Sequence, residues 1–116
     1  DLIIPIPLHS KRLRERGYNQ SEWIARALSE ATGIPMDTTH VSRIRNNPQQ
    51  ALQKAKDRAT NVEGVFAVNH PEELYRKHIL IVDDLITTGS TVRACMKAMK
   101  VCRGAKFSVF ALGKAR

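Results

Sequence analysis

The chain has 116 residues, 19 Lys and Arg against 11 Asp and Glu, and a formal net charge of +8. That length supports one layered core. No apolar run approaches the roughly 18–20 residues of a membrane span and no signal-peptide pattern is present, so the expectation is a cytoplasmic domain with no membrane insertion. The basic balance suits a polyanionic partner, either nucleic acid or a small ligand with several phosphates. Lysines scattered over a solvated surface give the same number, so charge alone does not choose between them.

The first residues, "DLIIPIP", begin without Met in a strand-like run. One domain over 1–116 is expected, as an internal piece lacking N-terminal parts of a longer protein. "LIIPI" (2–6) reads as a strand, with Pro5 counting against a fully paired central position. Residues 7–18 are polar and basic, a loop. Asn19 followed by Glu22 looks like a capping box, and Trp23, Ile24, Ala27, Leu28 and Ala31 recur at helical spacing up to Gly33 and Pro35.

"DTTHVSRI" (37–44) is a candidate strand, and 45–64 is a long segment almost without large apolar side chains, as in a functional lid. "VFAV" (65–68) reads as a strand and 69–77 as a turn with one helical turn. "ILIV" (79–82) has the composition of a strand buried on both faces. Beyond it, Val92, Cys95, Met96, Met99 and Cys102 form one helical stripe, with Arg93, Lys97, Lys100 and Arg103 facing outward. Gly104 ends that helix and "KFSVFAL" (106–112) is a further strand. Strand–helix alternation of this kind predicts an α/β fold, a mainly parallel sheet flanked by helices.

Cys95 and Cys102 lie seven apart on the predicted helix, ~10 Å along its axis, too far for a disulfide. They read as core thiols. His9, His40, His70 and His78 show no metal-ligand spacing, and no site that holds a metal directly is expected.

The chemistry gathers in "ILIVDDLITTGSTV" (79–92). In open α/β sheets ligands bind beyond the carboxyl ends of the strands, where Asp83 and Asp84 stand. Neighbouring side chains on a strand point to opposite faces, so both carboxylates meet one ligand only if the chain turns there. Carboxylates accept hydrogen bonds and suit a ligand with adjacent hydroxyls. In Thr87-Thr88-Gly89-Ser90-Thr91 the glycine permits a tight turn that exposes successive N–H groups, leading into a helix N-terminus that favours an anion. The pattern fits a sugar phosphate, with its diol on the aspartates and its phosphate in the loop. Two alternatives stand beside it: Ser and Thr are ordinary helix N-caps, and two aspartates at a strand end also suit a metal or a phosphoryl group. A mononucleotide P-loop is excluded because "TTGST" has no lysine.

The same string closely resembles the phosphoribosyl-pyrophosphate (PRPP) signature of type I phosphoribosyltransferases. "PIPLHSKRLRERGYNQ" (5–20) resembles the hallmark of the ComF branch, a competence-protein family described as phosphoribosyltransferase-like or amidophosphoribosyltransferase-like, and 46–68 is similar to its middle region. The resemblance implies a type I phosphoribosyltransferase-like fold. It puts Asp83 and Asp84 on the ribose hydroxyls of PRPP, and Thr87, Thr88, Gly89, Ser90 and Thr91 on its 5′-phosphate. Ser10, Lys11 and Arg12 fall where such enzymes bind pyrophosphate, although this loop departs from the small glycine-containing form common in the superfamily. The 45–64 segment becomes a closing loop, with Lys54, Lys56 and Arg58 as candidates to stabilise the leaving group, so that Asp83, Asp84 and Arg58 form the implied catalytic set. Mg²⁺ is implied as an ion bound with PRPP, and the phosphoribosyl acceptor is not readable.

Glutamine-dependent amide chemistry is not expected within a chain that has no N-terminal nucleophilic cysteine. The rival expectation is a non-catalytic accessory protein of natural competence that binds single-stranded DNA or a DNA-uptake helicase through Lys11, Arg12, Arg14 and Arg16. Scarce aromatics count against it, with Trp23 on the predicted buried stripe and only Tyr18 in the basic loop.

Overall fold

The computed structural model describes residues 1–7, 17–44, 60–63, 66–86 and 89–114. In chain order the elements are β1 (Leu2–Pro5), α1 (Gln20–Thr32), β2 (Val41–Arg43), β3 (Thr60–Glu63), β4 (Phe66–Asn69), β5 (His78–Ile86), α2 (Ser90–Ala98) and β6 (Lys106–Lys114). Short 3₁₀ turns occupy Pro71–Leu74 and Met99–Val101.

The strands form two sheets. The first has the order β1-β5-β6 and is parallel throughout, with Leu2 opposite Ile79 and Ile79 opposite Phe107. Alternation along its strands sorts the core into two faces. Ile4, Ile6, Ile79 and Ile81 pack with Cys95, Ala98 and Met99 from α2 and its 3₁₀ extension. Ile3 and Val82 pack on the other side with Ala25, Ile24 and Leu28 of α1. The apolar run of β5 is therefore covered on both faces, which is why it reads as continuous rather than alternating. Pro5 sits at the last paired position of an outer strand, where its missing N–H costs little.

The second sheet, β2-β4-β3, is antiparallel, and Phe66 and Val68 of β4 join the α2 side of the core. The expected parallel sheet flanked by helices is β1-β5-β6, and a separate antiparallel sheet, not anticipated, accompanies it. The segment expected to run without structure to residue 64 ends in β3, whose Thr60–Glu63 backbone pairs along β4; residues 45–59 lie outside the described residues.

The candidate strand over 37–44 is shorter than expected. Asp37 Oδ1 accepts from the backbone N–H groups of Thr39 (2.6 Å) and His40 (3.0 Å), an Asx turn that delays the strand to Val41. Only Met36 before it bridges to β1, opposite Ile3.

Helix α1 starts as expected, with the Asn19 side chain accepting from Ser21 N–H, and ends at Gly33 in the left-handed region at φ 75°. Glu22 does not complete a capping box but pairs with Arg26 at 3.5 Å. The buried face departs from expectation. Ser21 and Ala25 are buried, flanked by half-buried Ile24 and Leu28, while Trp23 is 66% exposed. This face lies about a quarter turn from the predicted stripe. The cause is steric: where α1 lies on Ile3 and Val82, Ala25 is fully buried, and small side chains there set the helix rotation that leaves the indole outside. The α2 stripe is as expected, with Val92, Cys95, Met99 and Cys102 buried.

One polar cluster fastens the second sheet. His40 Nδ1 lies 2.6 Å from Asp37 Oδ2 and Nε2 lies 2.7 Å from Glu73 Oε1, tying the turn before β2 to the 3₁₀ turn after β4. A ring with a carboxylate on each nitrogen is best satisfied as imidazolium, donating from both. Burial alone would lower the His40 pKa, but the hydrogen bonds and charges of Glu73 and Asp37 outweigh it and hold the value above normal. A raised folded-state value means that the stabilisation is fully present below the unfolded value of about 6.5 and is lost as pH rises through the folded value. His40→Gln should therefore lower Tm more at pH 6 than at pH 9 when unfolding is followed by circular dichroism. An equal loss at both pH values would show that the imidazolium charge contributes nothing.

Candidate functional site

The two aspartates stand at the carboxyl end of the central strand of the parallel sheet. The turn that a shared ligand was expected to require is not made between them, because β5 continues through both to Ile86. Instead the ladder loosens at Asp84. Asp83 registers with Ala111 and Leu85 with Gly113, while Asp84 is outside the paired positions. Each carboxylate takes the backbone N–H that follows it: Asp84 N–H donates to Asp83 Oδ1 at 2.9 Å, and Leu85 N–H donates to Asp84 Oδ1 at 2.8 Å. The Asp84 carboxyl is near enough to act on the Asp83 carboxyl.

Asp83 is buried at 9% exposure, and Asp84 is half-buried beside it. From α1, the Ser21 hydroxyl donates to Asp83 Oδ1 at 3.4 Å. Burial pushes the Asp83 pKa up, and its contact with the Asp84 carboxyl pushes the same way; the Asp84 amide and the Ser21 hydroxyl pull back without reversing the shift. Asp83 is held at a net cost to the ionised form, the mark of a group kept for chemistry more often than for stability.

After Ile86 the chain reaches α2, whose N-cap is Gly89 at φ 81° with no side-chain capping bond. Ser90 and Thr91 are the first helical residues, so the reading in which one of these hydroxyls simply caps the helix does not hold. A Cβ on Gly89 would lie 3.1 Å from Arg93 Nη1, which places a guanidinium against the turn. Asp83, Gly89 and Thr91 line one small cleft together with Leu85, Ile86 and Val92. The fold thus brings Asp83 together with Gly89 and Thr91 of the predicted phosphate loop, while Asp84 and Ser90 do not line this cleft. Thr87 and Thr88 lie outside the described residues, as do Ser10, Lys11, Arg12, Arg14, Arg16, Lys54, Lys56 and Arg58.

Two residues not assigned these contacts from the sequence stand out in the structure. Asn19, read only as a helix cap, is buried and its side-chain amide also donates to Ile6 O at 3.1 Å. Arg43, at the end of β2, stacks over Phe66 at 5.5 Å and acts electrostatically on the Cys95 thiol, as Asp83 does. Burial pushes Cys95 up to about 12 and Cys102 up to about 11, so both stay protonated thiols and neither is a nucleophile at neutral pH. Among the described residues, no three His, Cys, Asp or Glu side chains converge to hold a metal ion. None of the described helices is long and apolar enough to cross a membrane.

The family model for the phosphoribosyl transferase domain matches residues 16–114, and the chain belongs to that family. Competence protein F of Haemophilus influenzae is 36% identical to it over 117 residues, a match covering 99% of this chain and 51% of that protein. DNA utilization protein YhgH of Escherichia coli (strain K12) is 36% identical over 92 residues, which cover 79% of this chain and 40% of the relative. Competence protein ComFC of Bacillus subtilis is 29% identical over 98 residues, covering 84% of this chain and 38% of the relative. The matches therefore span between 38% and 51% of the length of these relatives.

Two crystal structures of adenine phosphoribosyltransferases share the fold. The enzyme from Thermoanaerobacter pseudethanolicus aligns with a TM-score of 0.61 at 19% identity, over 98% of this chain and 57% of its own. A second aligns with a TM-score of 0.62 at 14% identity, over 99% and 57%.

The raised Asp83 value carries a stability prediction. As pH rises, the unfolded chain loses this proton first, so stability is highest below the unfolded value of about 3.9 and declines through the folded value. At neutral pH the carboxylate is thus a net cost, which Asp83→Asn relieves while keeping the acceptor oxygen. The variant should melt above the parent at pH 7, and the difference should close on acidification. A lower Tm at pH 7 would mean that the charge supports the fold.

Proposed function

We propose that this domain binds PRPP, with Asp83 and Asp84 on the ribose hydroxyls and the 87–91 turn on the 5′-phosphate, and transfers the phosphoribosyl group to an acceptor with loss of pyrophosphate. The observation that carries this reading is Asp83 and the Gly89 turn on one cleft, towards the carboxyl end of the central strand and with Asp84 next in the chain, in a member of the phosphoribosyl transferase family. The aspartates present acceptors to a diol, and Asp83 is steadied by two donors on one oxygen. The N-terminus of α2, whose N-cap is a glycine with no side chain to cap it, offers N–H groups and the positive end of its dipole to a phosphate.

Transfer would break the bond between the anomeric carbon and the pyrophosphate oxygen and form one to the acceptor, with negative charge growing on the departing pyrophosphate. Mg²⁺ suits this site as an ion carried on phosphate oxygens, where it would offset that charge when bound. Arg58, Lys54 and Lys56, with Ser10, Lys11 and Arg12, are the cations and donors proposed to meet the leaving group. Removing one such contact typically costs ~3–4 kcal/mol of transition-state stabilisation.

Calorimetric titration of PRPP with Mg²⁺ tests the reading. The parent should bind saturably, and a variant carrying Asp83→Asn and Asp84→Asn should lose binding while remaining folded. A parent that does not bind would remove the enzyme reading.

A second reading rests on the correction at Trp23. The indole is exposed, and Tyr18 lies beside it with ring centroids 5.3 Å apart. The scarcity of aromatics is therefore a weaker objection to single-stranded DNA than the sequence implied. Stacking on an exposed aromatic is worth ~1–3 kcal/mol per base, and the phosphate contacts of a chain at +8 make such binding salt-dependent. On this reading an oligothymidine binds at low salt, weakens steeply as salt rises, and binds about tenfold less well to Trp23→Ala. Equal binding by parent and variant at all salt concentrations would rule the platform out.

A further inference from the structure

Asp83 is held from a direction the sequence does not disclose. Ser21 is buried at 5% exposure in the first turn of α1, 62 positions from Asp83, and Asp83 Oδ1 is the partner its hydroxyl finds among the described residues. At 3.4 Å the contact is long for O–H···O. Both groups are nevertheless enclosed, and a buried hydroxyl and a buried carboxylate each need a partner.

Ser21 is itself fixed by its neighbours. Its backbone N–H donates to Asn19 Oδ1 at 3.0 Å, Asn19 Nδ2 donates to Ile6 O at 3.1 Å, and Ile6 N–H donates to Val82 O at 2.8 Å. The hydrogen bonds close a circuit from Val82 within β5, through Ile6 just past β1 and the start of α1, back to the Asp83 carboxylate. Within it Asp83 Oδ1 receives two donors, Ser21 Oγ and Asp84 N–H, from different elements. Two donors on one oxygen restrain rotation of the carboxylate. With the serine donor gone, the donor left to the carboxylate among the described residues is the Asp84 amide, and the group can rotate about χ2, which is a soft torsion.

We propose that Ser21 is a positioning residue for the acid pair: through the Asn19–Ile6–Val82 circuit it fixes the Asp83 carboxylate in the orientation that receives the ribose hydroxyls. The assignment rests on the PRPP reading for the identity of the ligand but not for the contact itself, and the two are tested separately.

The ligand-free protein is compared by amide NMR as parent, Ser21→Ala, Ser21→Thr and Ser29→Ala. Ser29 is the control, a helix hydroxyl bonded to Ile34 O and remote from Asp83. Because Asp84 N–H donates to Asp83 Oδ1, its resonance reports the carboxylate orientation. It should move in Ser21→Ala and keep its parent position in Ser21→Thr and Ser29→Ala. Titration of Mg²⁺ with PRPP should then show roughly three- to tenfold weaker binding by Ser21→Ala, the loss expected for one hydrogen bond, with rescue by Ser21→Thr. An unmoved Asp84 amide in Ser21→Ala, or equal affinity for PRPP, overturns the assignment. If the parent binds no PRPP, the preceding reading fails, and the amide readout alone decides whether Ser21 positions Asp83.

Discussion

A carboxylate enclosed between a sheet and its covering helices is stable only where donors reach it, and Asp83 shows how this fold supplies them. Burial and the adjacent Asp84 both work against its charge. What opposes them comes from the backbone of β5 itself, through the Asp84 amide, and from the first turn of α1 through Ser21. The rest of the architecture follows from keeping those elements in register. Parallel pairing of β1 with β5 carries Ile6 to Val82, and Asn19 hangs the start of α1 on the same point. Ala25 lets the helix lie close enough on Ile3 and Val82 for a serine to reach the strand end.

That close approach accounts for the exposed indole. Burying Trp23 would have gained about 2–3 kcal/mol of apolar transfer. A helix can present only one stripe to a sheet, however, and the stripe carrying Ser21 and Ala25 is the one that permits the polar circuit. The aromatic pair of Tyr18 and Trp23 is left on the surface. The site geometry and the second candidate surface are thus two outcomes of one choice of helix rotation.

Much of this was legible from the sequence for identifiable reasons. The acid pair declared itself because two like charges directly after a four-residue apolar run make no sense as core or as ordinary loop. Gly89 declared the turn, and the α2 stripe was regular enough to read directly. What escaped was set by contacts rather than by pattern. Periodicity cannot tell a bulky apolar face from one that must be small to pack closely, and so Trp23 was misplaced. "DTTH" has strand-like threonines, but Asp37 captures the amides of Thr39 and His40 first. Thr60–Glu63 has no apolar alternation and is a strand only because β4 offers it an edge. Ser21 could not be found at all, since its meaning lies 62 positions away.

That separation also bears on how the domain acquires its site. Leu2 pairs with Ile79 and Ser21 meets Asp83, so neither half of the chain can prearrange the carboxylate alone. Contacts this distant in sequence carry their loop-closure cost before they return any stabilisation, and they belong to the late, slow part of assembly. The local β5–α2 turn can form early, but the acid pair takes its working shape only when the first strand docks. Ligand affinity and cooperative unfolding are then two measures of one event: a molecule that grips the finished pair selects the assembled sheet over every partly folded form.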